Sequence, residues 1–381
     1  MFYVVLLECK IKILKKIKIF KIENKSCVWF APSNNYVIVE HLSAEILDLI
    51  DQNKSINEII NILNLSDDFV EPITHLKEQL YLPNTVSTAL QKAANHIESP
   101  AYFAIIKYYK IGKLIYKVAY QTEYLASLVH PKFGYLETEE QNNYTHYFEV
   151  SMELKIIYLK VNDAFIGSWP IHEEHYFQGK FSMKLTETLH QKPEKEWLGV
   201  FHASALSYNQ KAVLILGDSG NGKSTSLALL QAHGFQCLAD DFVPVLAKNQ
   251  KVYSFPQGIS IKKNSLPILL PLYPELIDSA EYYFKKFNKT VRYLKPNNPD
   301  FTTNETCEDL IFIKYQKDSG MNCQKISKIE AFNELIPDSW LSPELGNVKI
   351  FMDWFNQVNC YRITYSNNPK MIDAVKNILS S

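Results

Sequence analysis

The chain has 381 residues, of which 46% are hydrophobic and 13% aromatic, enough for roughly two or three folded domains with sizeable cores. A formal net charge of -1 and a pI near 6.8 exclude a strong overall attraction to nucleic acid or to an anionic membrane surface. Six scattered cysteines without a Cys-x-x-Cys pair predict a reduced, cytoplasmic protein that lacks a zinc site.

The N-terminal segment begins with seven apolar residues, but Glu8 and Lys10 follow directly, so we expect neither a signal peptide nor a membrane span. Lysines then interleave with Ile, Leu and Phe between residues 9 and 22. A basic helix on a membrane surface is one interpretation of this pattern. The apolar residues alternate at 10–13 and at 16–22, which favours a strand or an imprecise gene start.

A hairpin and three helices are predicted next. Residues 26–31 and 36–40 are rich in β-forming side chains and flank the turn-forming run Pro32-Ser33-Asn34-Asn35, which is typical of a hairpin. Apolar residues then recur at helical spacing in three segments that begin near Ser43, Ser55 and Asp67. Glu58, three residues after Ser55, completes a capping box for the second helix.

A hairpin followed by three helices is a small winged-helix-like module. Its hydrophobic pattern over residues 17–83, including Ser55-Ile56-Asn57-Glu58-Ile59, resembles the PqqD family, the peptide-recognition element of peptide-modifying pathways. The resemblance implies that residues 1–96 bind the leader of a precursor peptide. A DNA-reading winged helix is the alternative, which is disfavoured because these helices carry few lysines and several carboxylates, namely Glu45, Asp48, Asp51 and Glu58.

The following region, residues 97–200, is predicted to be rich in strands after a short helix-like segment at 88–96. Strands are expected at 102–109, 113–120, 144–150 and 155–161, with a turn at Asn162-Asp163 and a helix at 174–190. The tyrosines here could line a substrate groove, although we favour packing in the core. His172 and His175 suggest a metal site, but no third ligand is apparent, so surface positions are favoured.

The strongest chemical signal is the run Gly217-Asp218-Ser219-Gly220-Asn221-Gly222-Lys223-Ser224-Thr225. An apolar strand pattern at 212–216 precedes it, and a helix pattern that ends near Gly234 follows. This is a P-loop in its usual context, so all nine residues are candidates for binding ATP or another nucleoside triphosphate. Lys223 is placed to reach the outer phosphates, and the Ser224 hydroxyl is placed to hold Mg²⁺.

Two other segments belong with the P-loop. His202 lies in a strand-like run at 200–204, and the run at 235–241 ends in Asp240 and Asp241. In a P-loop fold we expect this second strand beside the P-loop strand, with its carboxylates near the γ-phosphate and metal. Spacing alone does not decide which carboxylate is the base, because adjacent strand residues face opposite sides.

These segments resemble the HPr kinase/phosphorylase superfamily, and most closely its divergent members, some of which phosphorylate ribosomally made peptides. The matching residues are His202-Ala203-Ser204, the P-loop, Leu238-Ala239-Asp240-Asp241, Pro256 and the run 259–262. The resemblance implies a P-loop kinase domain at 97–381, with a nucleotide-binding core at 201–381. By the same resemblance Asp240 is the base, Asp241 the metal-side partner and His202 a neighbour of the transferred phosphate. A buried structural histidine is the alternative for His202.

This chain departs from the bifunctional enzymes of that superfamily at one signature. Where they carry Glu-Ile-Arg-Gly, this chain has Ile261-Lys262-Lys263-Asn264. The phosphorolytic reverse activity is therefore not implied, and Lys262 or Lys263 is expected to supply positive charge. Of the arginines Arg292 and Arg362, one is an arginine finger, or that role is absent or belongs to a lysine. We interpret Arg362 as structural because it lies in a predicted strand.

Downstream of the P-loop, a hairpin is predicted at 244–255, with strands at 259–262, 310–314 and 360–365 and helices near 330–335, 348–358 and 370–379. The sequence thus predicts an α/β chain in which the PqqD-like module precedes a P-loop kinase with a mixed sheet.

The expected reaction is ATP- and Mg²⁺-dependent phosphorylation of a hydroxyl group on a precursor peptide, and we expect this hydroxyl to belong to a serine. An HPr-type protein serine kinase, a kinase of free serine or another small metabolite, and a non-enzymatic nucleotide-binding scaffold remain as alternatives. Neither nucleic acid nor a membrane is an expected partner, and homo-oligomerisation is left open.

Overall fold

The computed structural model describes residues 15–86, 98–284, 288–298 and 300–380. The chain divides into two compact units, residues 1–90 and 91–381, which are described separately. The predicted strand at 10–13 and the predicted helix at 88–96 lie outside the described residues. The predicted domain boundary at 96/97 also falls there and stays a prediction.

The first unit contains a three-stranded antiparallel sheet of β1 (Ile17–Ile22), β2 (Lys25–Phe30) and β3 (Asn35–Val39), with β2 in the middle. The predicted strand at 16–22 and the predicted hairpin are therefore confirmed. β2 is almost entirely buried because it pairs on both edges and packs against the helices. β3 pairs only with β2 among the described residues, so its other edge is not covered by a strand.

The helical part of this unit consists of α1 (His41–Asp51), α2 (Ile56–Leu63), α3 (Val70–His75), a π-helical continuation (Leu76–Tyr81) and α4 (Leu82–Asn84). The capping box at Ser55 and Glu58 is present, since each side chain bonds the other's backbone N–H. Buried Asp51 accepts hydrogen bonds from the Tyr81 hydroxyl at 2.9 Å and from the Lys16 backbone. It thereby joins α1 to β1 and to the third helical segment.

The second unit begins with a six-stranded sheet of β4 (Ile105–Ile111), β5 (Leu114–Tyr120), β6 (Glu137–Thr138), β7 (His146–Glu153), β8 (Ile156–Val161) and β9 (Ala164–Pro170), in the order β6-β4-β5-β7-β8-β9. Two helices pack on it, α5 (Glu123–Phe133) and α6 (Glu174–His190). The four strands and α6 were predicted within a few residues, whereas α5 was missed. Tyr109, Tyr116 and Tyr120 are buried, which supports the core interpretation of the tyrosines.

The rest of this unit supplies strands β10 to β22, listed in chain order: β10 (Trp197–Phe201), β11 (Ser204–Tyr208), β12 (Lys211–Leu216), β13 (Gln236–Asp240), β14 (Val243–Leu246), β15 (Lys251–Tyr253), β16 (Ile259–Lys262), β17 (Tyr282–Phe284), β18 (Lys289–Leu294), β19 (Asn304–Tyr315), β20 (Met321–Lys325), β21 (Ser339–Leu341) and β22 (Asn359–Tyr365). Its helices are α7 (Lys223–Ala232), α8 (Leu266–Leu269), α9 (Lys328–Leu335), α10 (Leu345–Gln357) and α11 (Asn368–Ser380). β16, β18 and β17 form a small separate sheet.

The large sheet runs in the order β13-β11-β12-β19-β15-β14-β10-β21, and β22 and β20 extend from the later half of β19. β12, β19 and β22 are mutually parallel and their other partners are antiparallel, so the mixed α/β sheet is confirmed. Buried residues of α7 and α11, such as Leu227, Leu230 and Val375, pack with Ile215 and Ile363 of the sheet. This core fixes the start of α7, where the P-loop ends. No helix of the described residues is long and apolar enough to cross a membrane.

Candidate active site

The P-loop residues form a tight turn between β12 and α7, in the predicted strand–loop–helix context. Gly217 has φ 138°, and a Cβ there would lie 2.6 Å from the carbonyl oxygen of Ile313, so only glycine fits between the loop and β19. Gly222 caps α7 with φ 95°, a conformation that L side chains rarely adopt. The Asn221 carbonyl accepts a hydrogen bond from the Tyr315 N–H at 3.0 Å. The loop is therefore shaped before any ligand arrives.

Lys223, the first residue of α7, is nearly buried, and its ammonium donates a hydrogen bond to the Gly217 carbonyl. The side chain thus curls along the concave side of its own loop, at one wall of a cleft of about 180 Å³. An ammonium in that position and the free N–H groups at the start of α7 both favour an anion.

Asp240, at the end of β13, is fully buried and holds its carboxylate beneath the start of α7. One oxygen accepts hydrogen bonds from the hydroxyls of Ser204 at 2.7 Å and Ser224 at 3.2 Å. The other oxygen accepts from the Ser260 N–H at 3.0 Å. Three donors from three segments therefore orient this carboxylate toward Ser224, the P-loop hydroxyl that the sequence assigns to Mg²⁺.

The predicted position of this strand beside the P-loop strand was wrong. β11 lies between β12 and β13, because β11 and β12 are joined by the two-residue turn Asn209-Gln210, in which both residues have positive φ. Such tight turns connect adjacent antiparallel strands. β13 consequently pairs with the outer edge of β11, with Ser204 opposite Asp240. This register explains the Ser204 hydrogen bond, which sequence reasoning did not anticipate.

The pKa of Asp240 is raised from its ordinary value of 3.8 to about 7, chiefly by burial and secondly by the charge of Asp241. The hydrogen bonds from Ser204, Ser260 and Ser224 oppose this rise. In the metal-free protein the folded state therefore keeps a proton that the unfolded state loses, between about pH 4 and pH 7. The contribution of Asp240 to folding stability therefore falls as the pH rises through that window and is constant above it.

We expect Asp240→Asn to raise the Tm of the metal-free protein at pH 8, because asparagine resembles the protonated acid and removes the buried charge. The gain should shrink as the pH falls towards 4. Thermal melts at several pH values check this, with exposed Asp353→Asn as the matched control. A Tm difference between Asp240→Asn and wild type that does not change with pH would contradict the raised pKa.

Asp241 and His202 also line the cleft. Asp241 has φ 60°, so the chain turns sharply after β13 and brings its side chain to the surface of the cleft. His202 lies in the turn between β10 and β11 rather than within one strand, and its Nδ1 is 3.9 Å from the Asp241 carboxylate and 3.3 Å from the Asp241 carbonyl. Its side chain is 41% exposed, which contradicts the buried structural alternative.

The cleft also contains residues that were not predicted from the sequence, among them Ser260 of β16 and Lys289 of β18. Lys262 of β16, one of the two lysines expected to supply positive charge, also lines the cleft. The Lys262 ammonium is 3.4 Å from the Ser219 hydroxyl, which links β16 to the P-loop. Burial lowers the pKa of Lys262, and the nearby charges of Lys289 and Lys223 lower it further. The site is thus crowded with positive charge.

Lys132, at the end of α5, brings the strand-rich region towards the same site. Its carbonyl accepts a hydrogen bond from the Gly258 N–H at 2.8 Å, two residues before Ser260. Burial lowers the pKa of Lys132, the charge of Asp241 opposes this, and the charge of Lys289 adds to it. No local motif marks this lysine, so sequence reasoning had no signal for it.

The two arginines are occupied elsewhere. Arg292 pairs with Glu281 at 3.0 Å, and Arg362 pairs with Glu330 and Glu334 of α9. Neither side chain lines the cleft, whereas Lys223, Lys262 and Lys289 do. His172 is 77% exposed with only Glu173 near its ring nitrogen. Among the described residues, no group of three or more His, Cys, Asp or Glu is arranged to hold a metal ion.

Comparisons with known proteins give little further information. No protein-family model matches the sequence, and no curated protein has a similar sequence. Among solved structures, the HPr(Ser) kinase/phosphatase from Coxiella burnetii is 17% identical and covers 47% of this chain and 94% of its own. The TM-score is only 0.23.

Proposed function

We propose that this chain is an ATP- and Mg²⁺-dependent kinase that phosphorylates a hydroxyl, expected to be serine, of a ribosomally made precursor peptide. One observation supports the kinase activity most directly. The hydroxyl of the P-loop residue Ser224 donates a hydrogen bond to buried Asp240, whose carboxylate also accepts hydrogen bonds from Ser204 and Ser260. P-loop phosphotransferases hold their metal through such a hydroxyl and carboxylate.

The residues at this site suit Mg²⁺, which usually takes one or two oxygen ligands from the protein. Water and substrate phosphates complete its coordination in place of a full set of protein ligands. Ser224 and the carboxylate behind it would hold the ion. When bound, it neutralises phosphate charge and orients the transferred group. Lys223 supplies a further positive charge at the cradle, and Lys262 another from β16.

The geometry supports roles for the two carboxylates that are the reverse of those implied by the family resemblance. Asp240 is buried and its oxygens are engaged by three donors, which suits a positioning residue that orients Ser224 and the metal waters. Asp241 lines the cleft beside His202, where a carboxylate can accept the proton of an incoming hydroxyl. His202 can hydrogen-bond the same carboxylate or the transferred phosphate. We therefore propose Asp241 as the base.

The peptide part of the proposal rests on the first unit. Edge strand β3 pairs on one side only among the described residues, and an extended leader can add a strand to such an edge. Val37 and Val39 of β3 and Leu76 and Leu80 of the third helical segment are partly exposed. Apolar leader side chains would find contacts there. An HPr-type protein or a free metabolite would not need this unit.

Removal of the first unit tests the peptide proposal. A protein that starts at Pro100 should bind ATP like the full chain but need about tenfold or more precursor peptide for half-maximal rate, because tethering raises the local acceptor concentration. The kcat should change much less than KM. Steady-state kinetics with a precursor encoded near the gene measures both. An unchanged KM, with no leader binding to the first unit, would instead favour a metabolite or an HPr-type acceptor.

A further inference from the structure

A second cleft opens directly beside the phosphate cradle. It has a volume of about 640 Å³ and shares Ser219, Lys262, Asn264 and Lys289 with the first cleft. The two clefts are therefore adjacent, and a molecule in the second would lie next to the P-loop residue Ser219. Both belong to the second unit of the chain.

The described lining of the second cleft carries positive charge and no negative charge. Lys262, Lys263 and Lys289 contribute three ammonium groups, and the other lining side chains are neutral and polar. Among the residues that the structure describes, none of these three lysines forms an ion pair with a carboxylate. Three neighbouring unpaired ammonium groups repel one another, so an anion bound there is stabilised by all three.

The nucleotide accounts for only part of this charge. Lys223 and the N-terminus of α7 already face the phosphate cradle, and Lys262 reaches the P-loop through Ser219. Lys263 is exposed and lines the second cleft but not the first, and Lys289 stands at the junction of both. Lys263 therefore lies outside the cleft that contains the P-loop.

We propose that the second cleft binds the acceptor and that its lysines select a serine flanked by acidic residues. This inference rests on the proposed kinase function and deepens it. A peptide with carboxylates on both sides of the reacting hydroxyl would pair with Lys263 and Lys289 while the hydroxyl meets Asp241. Neutral or basic sequences would leave the ammonium groups unpaired or repelled. In this proposal the lysines determine which acceptor is selected and do not serve mainly to bind the nucleotide phosphates.

Binding of two synthetic peptides to the full-length chain tests the inference. One peptide has serine flanked by two glutamates on each side, and the other has glutamines instead. With Mg²⁺ and the nonhydrolysable analogue AMPPNP at saturation, we expect calorimetry to show about tenfold tighter binding of the acidic peptide. Added salt should reduce this preference, because the attraction is between partly exposed charges.

The Lys263→Gln variant should reduce the preference from about tenfold to about threefold and still bind AMPPNP within about threefold of wild type, because Lys263 lines the second cleft but not the first. A Lys248→Gln variant, with one exposed lysine changed elsewhere, should behave as wild type. The inference is overturned by equal binding of both peptides, by binding of neither, or by a preference that is unchanged in Lys263→Gln. Loss of AMPPNP binding in Lys263→Gln overturns it too, because this lysine would then serve the nucleotide. Wild-type protein that binds no AMPPNP at all would instead refute the proposed kinase function.

Discussion

Lys223→Ala should bind ATP at least about 100-fold more weakly than wild type and show no detectable phosphoryl transfer. The substitution removes a nearly buried ammonium from the cradle, where charge-assisted hydrogen bonds to phosphate are strong. The loop itself should persist, because Gly217 still packs on β19 and Asn221 still bonds Tyr315. Nucleotide titration followed by a transfer assay measures both effects.

The matched control for this variant is Lys248→Ala, which removes an exposed lysine in the turn after β14. It should bind ATP and turn over like wild type. Melting temperatures of both variants exclude unfolding as the cause of any loss. Normal ATP affinity in Lys223→Ala would mean that the nucleotide binds outside this P-loop.

Asp241→Asn and Asp240→Asn should each lower the transfer rate about 10²- to 10⁴-fold. A general base or a well-placed metal partner usually contributes an effect of this size. They should differ in their response to Mg²⁺. In Asp240→Asn the neutral side chain holds Ser224 and the metal less well, so a higher Mg²⁺ concentration should restore part of the rate. In Asp241→Asn the proton acceptor is missing, and Mg²⁺ should restore nothing.

Transfer rates over a range of Mg²⁺ concentrations, together with ATP affinity, separate the two roles. Asp241→Asn should keep ATP affinity within about threefold, since the cradle is untouched. If Mg²⁺ rescued Asp241→Asn and not Asp240→Asn, the assignment implied by the family resemblance would be right and the one proposed here wrong. Near-wild-type rates in Asp241→Asn would remove it from the chemistry altogether.

The sequence was sufficient to predict those elements whose structure depends on residues adjacent in the chain. The P-loop follows from glycine positions whose backbone angles other residues cannot adopt, and the capping box at Ser55 from a spacing of three. The hairpin and helices of the first unit were predicted from hydrophobic periodicity, which is also a pattern among residues close in sequence. α5 was missed because Pro131 lies within it and proline usually ends a helix, although here it stands in the last turn.

Contacts between segments that are distant in the sequence were not predicted. The two-residue turn Asn209-Gln210, which places β11 against the P-loop strand, was not recognised as a hairpin, and so the Ser204 partner of Asp240 was not anticipated. The orientation of Asp240 and Asp241 depends on the positive φ of Asp241, which two adjacent aspartates do not encode by themselves. Lys289 reaches the cleft from the distant strand β18, and Lys132 of α5 bonds Gly258 just before β16, two contacts that only the packing of the whole unit creates.

A crystal structure of the full chain with Mg²⁺ and AMPPNP tests the kinase site most directly, because it does not require the acceptor. We expect the triphosphate along residues 217–225, the metal at the Ser224 hydroxyl with Asp240 behind it, and Asp241 and His202 facing the terminal phosphate. A nucleotide bound elsewhere, or none at saturating concentration, would contradict the assignment of this cleft as a phosphotransferase active site.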